Sequence, residues 1–549
     1  MATTIRLANK LALLGRTAAL LVGLTACACG GGNAPSATAT PLPTPDISPV
    51  AVGTRASALA AGWQHGPFME IYVRGYQDSD GDGIGDLRGL TQRLDYLAEL
   101  GIRGIWLMPI TRSQDHDHGY AVSDYRNVEP EFGTLADFDA LIAAAHARGI
   151  AIIIDYVLNH SAAQHPLFIN SSADATNPYR DWYVWSESVQ SGWRIFNKNP
   201  WVPTAHGAYL SQFSSTMPDF NLRNPAVLAF HENNLRFWLN RGVDGFRFDA
   251  VAHLVENGPD AWYNQPENVT VVARLRRVLR DYDQRYLVCE ATDNAVAWAA
   301  EGACGAAFAF GHQGDIVAAA RNQASGIQAV AQYFGTAPPS MATMISNHDL
   351  FAGERLWDQV GGNLAQYRLA AATYLLQPGT PFIYYGEEIG LSAASGLTGD
   401  AKVRVPMSWS PDAANAGFTS AAQPFRRMAA NAPAQNVASQ RGDPNSLLAS
   451  YRQLIALRNQ HPSLAQGTYI APAVQGSVLS FQRWSDAERT LVILNYGTAP
   501  ATVAVGGLGA NTRWGALLPG GNTEASADAV GQVQLTLPAQ SVQIYLRKP

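Results

Sequence analysis

The sequence predicts an α/β fold: a (β/α)8 TIM barrel with an insert after its third strand and a C-terminal antiparallel β-sandwich. Three observations carry this prediction. Eight short apolar runs recur from about residue 68, amphipathic stretches separate most of them, and beyond about residue 463 short strands alternate with Gly and Pro turns. Near-continuous apolar strands alternating with helices indicate a parallel sheet covered by helices. Eight such units suggest a closed barrel, with its site at the C-terminal ends of the strands.

The predicted strands are 68–76, 101–109, 149–157, 243–250, 285–291, 306–310, 341–349 and 380–388. Residues 134–149 and 224–242 show the amphipathic helical pattern between them. Residues 161–220 break the rhythm and are polar and aromatic, so they form a functional insert or small subdomain. A helix over 443–462, with Asp443 as N-cap and Pro444 at its first position, closes the barrel. The barrel therefore comprises 61–160 and 221–462, the insert 161–220 and the sandwich 463–549.

The N-terminus is a targeting segment. Arg6, Lys10 and Arg16 precede the apolar run Ala18–Leu24, too short to span a membrane, so residues 1–26 read as a signal peptide. "LTAC" (24–27) resembles the lipobox of bacterial lipoproteins, which implies lipidation of Cys27 and attachment to a membrane. Residues 27–60 are rich in Gly, Ala, Pro and Thr and read as a flexible tether. An exported lipoprotein of the cell envelope is expected, on its periplasmic or extracellular face. Of the four cysteines, Cys289 and Cys304 lie outside the processing region. They could pair in an oxidising compartment, but the apolar strand around Cys289 favours a buried free thiol. A net charge of −6 over 549 residues gives no reason to expect a nucleic acid partner, and a monomer is expected.

Polar residues stand at the strand ends: Asp155, Asn159 and His160 after the third, Arg247 and Asp249 on the fourth, Glu290 on the fifth, Ser346–Asp349 on the seventh. In "GFRFDAVAH" (245–253), Arg247 and Asp249 are two apart and so share a strand face. Buried charges are costly unless paired or used. A barrel brings all of these groups to one mouth. Two carboxyl groups flanking a glycosidic bond can break it, one as nucleophile and the other as acid and then base. An adjacent arginine keeps the nucleophile ionised.

The ordered set "DYVLNH" (155–160), "MPDFN" (217–221), "GFRFDAVAH", Glu290 in "VCEA" and "ISNHD" (345–349) resembles the α-amylase family, glycoside hydrolase family 13, over roughly residues 63–549. The resemblance implies Asp249 as nucleophile, Glu290 as acid/base and Asp349 as transition-state stabiliser. It implies sugar contacts from Tyr120, His160, Arg247, His253 and His348, with Asp155 as structural support. "DSDGDGIGD" (78–86) sets Asp78, Asp80, Asp82 and Asp86 among glycines, an oxygen-rich loop suited to Ca²⁺ or a solvated acidic turn. A matching loop in the family holds calcium, which adds the carbonyl of Ile84 as a ligand. Asn159 contributes to a second calcium site in many α-amylases, and its partners here stay open.

Within the family, "MPDFN" resembles the intermediate group between oligo-1,6-glucosidases and neopullulanases, which contains lipoprotein α-amylases. Ala250 after the nucleophile resembles α-1,4-specific members. Asp117 in "DHGY" and Arg404 in "RVPMSW" match positions where exo-acting α-glucosidases close the pocket with an Asp–Arg pair. The resulting expectation is a retaining α-1,4-glucan hydrolase of α-amylase type acting on starch, glycogen or maltodextrins. An exo-α-glucosidase, a maltose-converting transglycosylase and a catalytically silent glycan-binding lipoprotein are the alternatives. The intact trio Asp249, Glu290 and Asp349 argues against the last.

Overall fold

The structure, a computed structural model, describes residues 41–549 apart from 413 and 522. Cys27 and the signal peptide lie outside the described residues. The eight predicted strands are β1 (Phe68–Ile71), β2 (Gly104–Leu107), β3 (Ala151–Tyr156), β4 (Gly245–Phe248), β5 (Tyr286–Cys289), β6 (Ala307–Phe308), β7 (Met341–Thr343) and β8 (Thr380–Tyr384). Each pairs in parallel with its chain neighbours, and β8 pairs with β1 to close the barrel.

Alternation along the strands sorts side chains into two environments. Phe68, Trp106, Ile153, Val288, Phe308, Ala342 and Phe382 pack together inside the barrel. Their neighbours Met69, Ile105, Leu107, Ile152 and Ile154 face the helices instead. The apolar plug stabilises the barrel by about 1.5–3 kcal/mol per fully buried large side chain. Glu70 and Asp155 lie two residues beyond Phe68 and Ile153 on the same face. Arg247, flanked by outward Phe246 and Phe248, also points inward. The barrel interior thus changes from apolar to charged towards the C-terminal ends of the strands.

Local signals set the covering helices. Helix Leu135–His146 starts at a capping box between Thr134 and Asp137. Helix Pro225–Arg241 is capped by Asn224 and ends at Gly242, whose φ of 106° suits glycine. The insert carries a helix, Pro166–Ala173, and a small sheet of Trp185–Ser186, Gly207–Leu210 and Trp201–Thr204. At the C-terminus a six-stranded and a two-stranded antiparallel sheet share a core that includes Val478, Leu491, Ile493, Val503 and Leu537.

Three expectations are corrected. The closing helix is Leu447–Gln460, capped by Ser446 rather than Asp443. Asp443 Oδ1 instead accepts from Asn445 N, a turn that delays the helix by three residues. Part of the stretch read as a tether is bound chain: Val50 N donates to Asn233 and Gly53 N to Asn240, both on helix Pro225–Arg241. Cys289 and Cys304 form a disulfide, not free thiols. The chain leaves β5, reverses and returns to pair beside it as β6, which brings the two Cα atoms to 6.2 Å.

That cross-link spans 15 residues, and chain entropy gives it about 3 kcal/mol. The double variant Cys289→Ala/Cys304→Ala is expected to melt at a lower temperature in calorimetry, as is the reduced wild type. Reductant should not alter the variant further. Equal melting temperatures would show that the bond contributes nothing to stability.

Candidate active site

The site is built around Arg247, which is 1 % exposed. Its Nη1 donates to Asp249 Oδ1 (2.6 Å) and Asp155 Oδ1 (2.9 Å), and its Nη2 lies 2.9 Å from Glu290 Oε2. One guanidinium therefore holds carboxylates from β3 and from the ends of β4 and β5. The chain turns sharply after Asp249: Ala250 has φ 46°, and its N–H donates to Glu290 Oε2. A left-handed alanine is strained, and such strain clusters at functional sites. Here it aims a backbone donor at the second carboxylate.

A second chain of alternating charge runs behind the first. His348 Nδ1 bonds Glu70 (2.5 Å), and its Nε2 lies 3.1 Å from Asp349 Oδ2. Asp349 Oδ1 accepts from Arg404 (2.6 Å), which reaches Asp400 at 3.5 Å. Tyr120 joins the two chains, since its hydroxyl bonds Asp155 (2.9 Å) and His348 (2.7 Å). A cavity of about 770 Å³ opens over this arrangement. Its walls include Tyr120, His160, Asp249, His253, Glu290, Asp349 and Arg404, with Phe196, Phe213 and Phe351 adding apolar surface.

Burial and charge assign protonation states. Burial pushes the Glu290 carboxyl up to about 7; Arg247 opposes this, while Asp249 and Asp349 add to it. Burial also raises Asp249 to about 6, again against Arg247. His348 would fall on burial alone, but Asp349 and Glu70 on its two sides hold it up at about 10. Asp349 sits well below the usual carboxylate range because His348, Arg404 and Arg247 outweigh its burial. Burial lowers His160 to about 3 and His253 to about 4, so both are neutral hydrogen-bonding groups. A buried acid near neutrality beside an ionised carboxylate is the pairing that general acid and nucleophile require.

The structure gathers most of the predicted site residues at this mouth. Asp117 is the exception. It does not line the cavity, and no ion pair joins it to Arg404 among the described residues. Its carboxylate accepts from Tyr72 (2.6 Å) and Arg426 (2.7 Å) instead. Arg426 lies 309 residues away in sequence, which explains why spacing could not reveal it. Glu70 was also missed, although a lone acid in the apolar run "FMEIYV" carries the same signal as Arg247. Asn159 donates to Asp219, and Gln212 spans from the His253 carbonyl to Glu256.

In the acidic loop, Asp78, Asp80 and Asp86 each offer an oxygen within 4.8 Å of the others. Gly81 and Gly83 (φ 86° and 94°) make the turn that gathers them. Asp78 accepts from the N–H groups of Asp80, Gly81 and Gly83. Asp82 lies outside the group; its Oδ1 accepts from Ile84 N (2.7 Å).

Residues 70–467 match the family described as alpha amylase, catalytic domain. The chain is 34% identical over 511 residues to a trehalose synthase/amylase of Mycobacterium tuberculosis, spanning 82% of this chain and 84% of that protein. It is 34% identical over 504 residues to a probable alpha-glucosidase of Rhizobium meliloti, spanning 80% and 90%. The crystal structure of the alpha-amylase from H. orenii is similar with a TM-score of 0.75 and 31% identity, over 88% of this chain and all (100%) of that one. The chain belongs to the alpha-amylase family of glycoside hydrolases, family 13.

Proposed function

We propose that this protein is a retaining α-1,4-glucan hydrolase of α-amylase type, acting on starch, glycogen or maltodextrins. The observation that carries the reading is the single guanidinium of Arg247 in contact with both Asp249 and Glu290. A shared fork keeps two carboxyl groups close, and retaining enzymes place theirs about 5–5.5 Å apart. Asp249 attacks the anomeric carbon while Glu290 gives its proton to the glycosidic oxygen. A covalent glycosyl-enzyme forms and the leaving chain departs with a free hydroxyl. Glu290, now ionised, takes a proton from water, which releases the sugar with its anomeric configuration retained. Asp349, held ionised by His348 and Arg404, faces the positive charge that develops on the sugar ring.

The endo-acting form of the reading rests on Asp117. Its carboxylate is engaged by Tyr72 and Arg426, so no Asp117–Arg404 bridge walls off the non-reducing end. A second reading, an exo-α-glucosidase or a maltose-converting transglycosylase, is favoured by Arg404, which stands in the cavity wall between Asp349 and Asp400. The relatives named trehalose synthase/amylase and alpha-glucosidase point the same way.

The acidic loop fits calcium as a donor set, since three carboxylates converge on a glycine turn. Asp78, Asp80 and Asp86 would hold the ion, with the Ile84 carbonyl as a further ligand. Bound there, it would brace the segment after β1. Export fits the buried Cys289–Cys304 bond, and lipidation at Cys27 belongs to the same reading.

Four outcomes are expected. The kcat/KM for maltodextrins should rise with pH through about 6, as Asp249 ionises, and fall through about 7, as Glu290 loses its proton. With a dinitrophenyl α-maltoside, whose leaving group needs no proton, the falling limb should vanish. Glu290→Gln should then cost about 10²–10⁴-fold on maltodextrin but far less on that substrate; equal losses on both would remove Glu290 from the acid role. A maltoheptaoside blocked at its non-reducing end should be cut internally, whereas an intact blocked chain beside a trimmed unblocked one would establish the exo-acting reading. Chelation should lower the melting temperature, calcium should restore it, and Asp78→Asn should abolish the response; a chelator-insensitive wild type would remove calcium from the loop.

A further inference from the structure

Away from the catalytic carboxylates, a group of side chains has the makeup and spacing of a metal site. His116 sits in the loop after β2 that also carries His118 and Tyr120, while Glu129 and Glu131 flank Pro130. His116 Nδ1 is 3.4 Å from Glu129 Oε1 and 3.7 Å from Glu131 Oε2, and one ligand atom from each residue lies within 4.8 Å of the others. Hydrogen-bonded partners sit closer, at about 2.7–3.2 Å. Adjacent ligands of a tetrahedral zinc ion with bonds of about 2.0–2.2 Å stand about 3.3–3.6 Å apart. The observed spacing matches the second arrangement better than the first.

Glu129 supplies an independent sign. It is 2 % exposed, and its Oε2 accepts from Ser113 N (2.8 Å). Its Oε1 accepts no hydrogen bond among the described residues and points at the His116 imidazole. One oxygen of a nearly buried carboxylate is thus left without a protein donor, and a cation there would supply the missing partner. One positive group already stands nearby: Arg74 is bonded to Glu131 Oε2. One guanidinium against two carboxylates leaves negative charge over, and an ion would share Glu131 Oε2 with Arg74.

We propose that His116, Glu129 and Glu131 bind a first-row divalent metal ion, Zn²⁺ foremost, with the fourth position open to water. An imidazole with two carboxylates suits such ions, whereas the all-oxygen loop at Asp78–Asp86 suits calcium. The two sites therefore select different metals. The Asp115 carboxylate accepts from the N–H groups of Asp117, Gly119 and Ala121, which ties the loop into one unit. An ion on His116 fastens that unit to Glu129, and with it the backbone that presents Tyr120 to the cavity. The site stands independently of the glucan-hydrolase reading.

The test is calorimetric titration of the calcium-saturated full-length protein with ZnCl₂, joined to anomalous scattering at the zinc edge from soaked crystals. One ion per chain is expected, with its anomalous peak bonded to His116 Nδ1 and Glu129. Because His116 has φ 50°, His116→Gly removes the imidazole at a backbone conformation that glycine adopts freely. Glu129→Gln keeps an acceptor for Ser113 N. Each substitution should weaken zinc binding at least about tenfold, with the metal-free melting temperature close to wild type. Unchanged affinity in His116→Gly, or zinc located only at other residues, overturns the proposal. Should Glu129→Gln fail to fold, His116→Gly decides alone, since its side chain is 64 % exposed.

Discussion

Everything at the mouth of this barrel depends on one buried cation. Arg247 is shared by Asp155, Asp249 and Glu290, three acids against a single positive charge. Removing one partner of a buried ion pair costs about 3–5 kcal/mol, because the other charge is left uncompensated. The cluster therefore holds only as a whole. Its imbalance also does chemical work. With more acids than cations in a buried site, a proton is retained, and Glu290, flanked by Asp249 and Asp349, is where it is held near neutral pH.

The second chain, Glu70–His348–Asp349–Arg404–Asp400, alternates in sign along its length. It fixes Asp349 in the ionised state from two sides and leaves His348 positively charged. Tyr120 bridges the chains, so the position of its loop is felt by both the Arg247 cluster and the His348 cluster. Trp106, whose ring lies 5.2 Å from the Arg247 guanidinium, closes the floor between them. Below that ring the barrel is apolar, and above it the barrel is charged. That boundary excludes water from one side of the reacting groups while the cavity admits substrate from the other.

The same economy of long-range ties recurs at the edges of the site. The disulfide fastens the residue preceding Glu290 to the segment leading into β6. The insert is joined to the barrel by a bridge from His160 to Asp219 and closed on itself by one from Tyr183 to Phe220. Arg426, far along the chain, holds the Asp117 carboxylate together with Tyr72. Each tie constrains a loop that would otherwise place its functional group loosely, and a misplacement of about 1 Å can cost about 10²-fold in rate.

The sequence by itself determined the barrel, its eight strands, the two-residue spacing of Arg247 and Asp249, and the acids at the strand ends. Those features are local. Period-two and helical patterns, caps and charged residues within apolar runs are written over a few consecutive residues, and strand alternation fixes which face they share. Glu70 was equally legible by that rule. Tertiary structure alone decided the partnerships: Asp117 with Arg426 rather than Arg404, Cys289 with Cys304, residues 50 and 53 with helix Pro225–Arg241, and Asp82 outside the cluster of its neighbours. Spacing carries no information about which of several arginines or asparagines arrives at a given carboxylate or amide. The folded path of the chain settles that choice, because a hydrogen bond requires its atoms within about 3 Å.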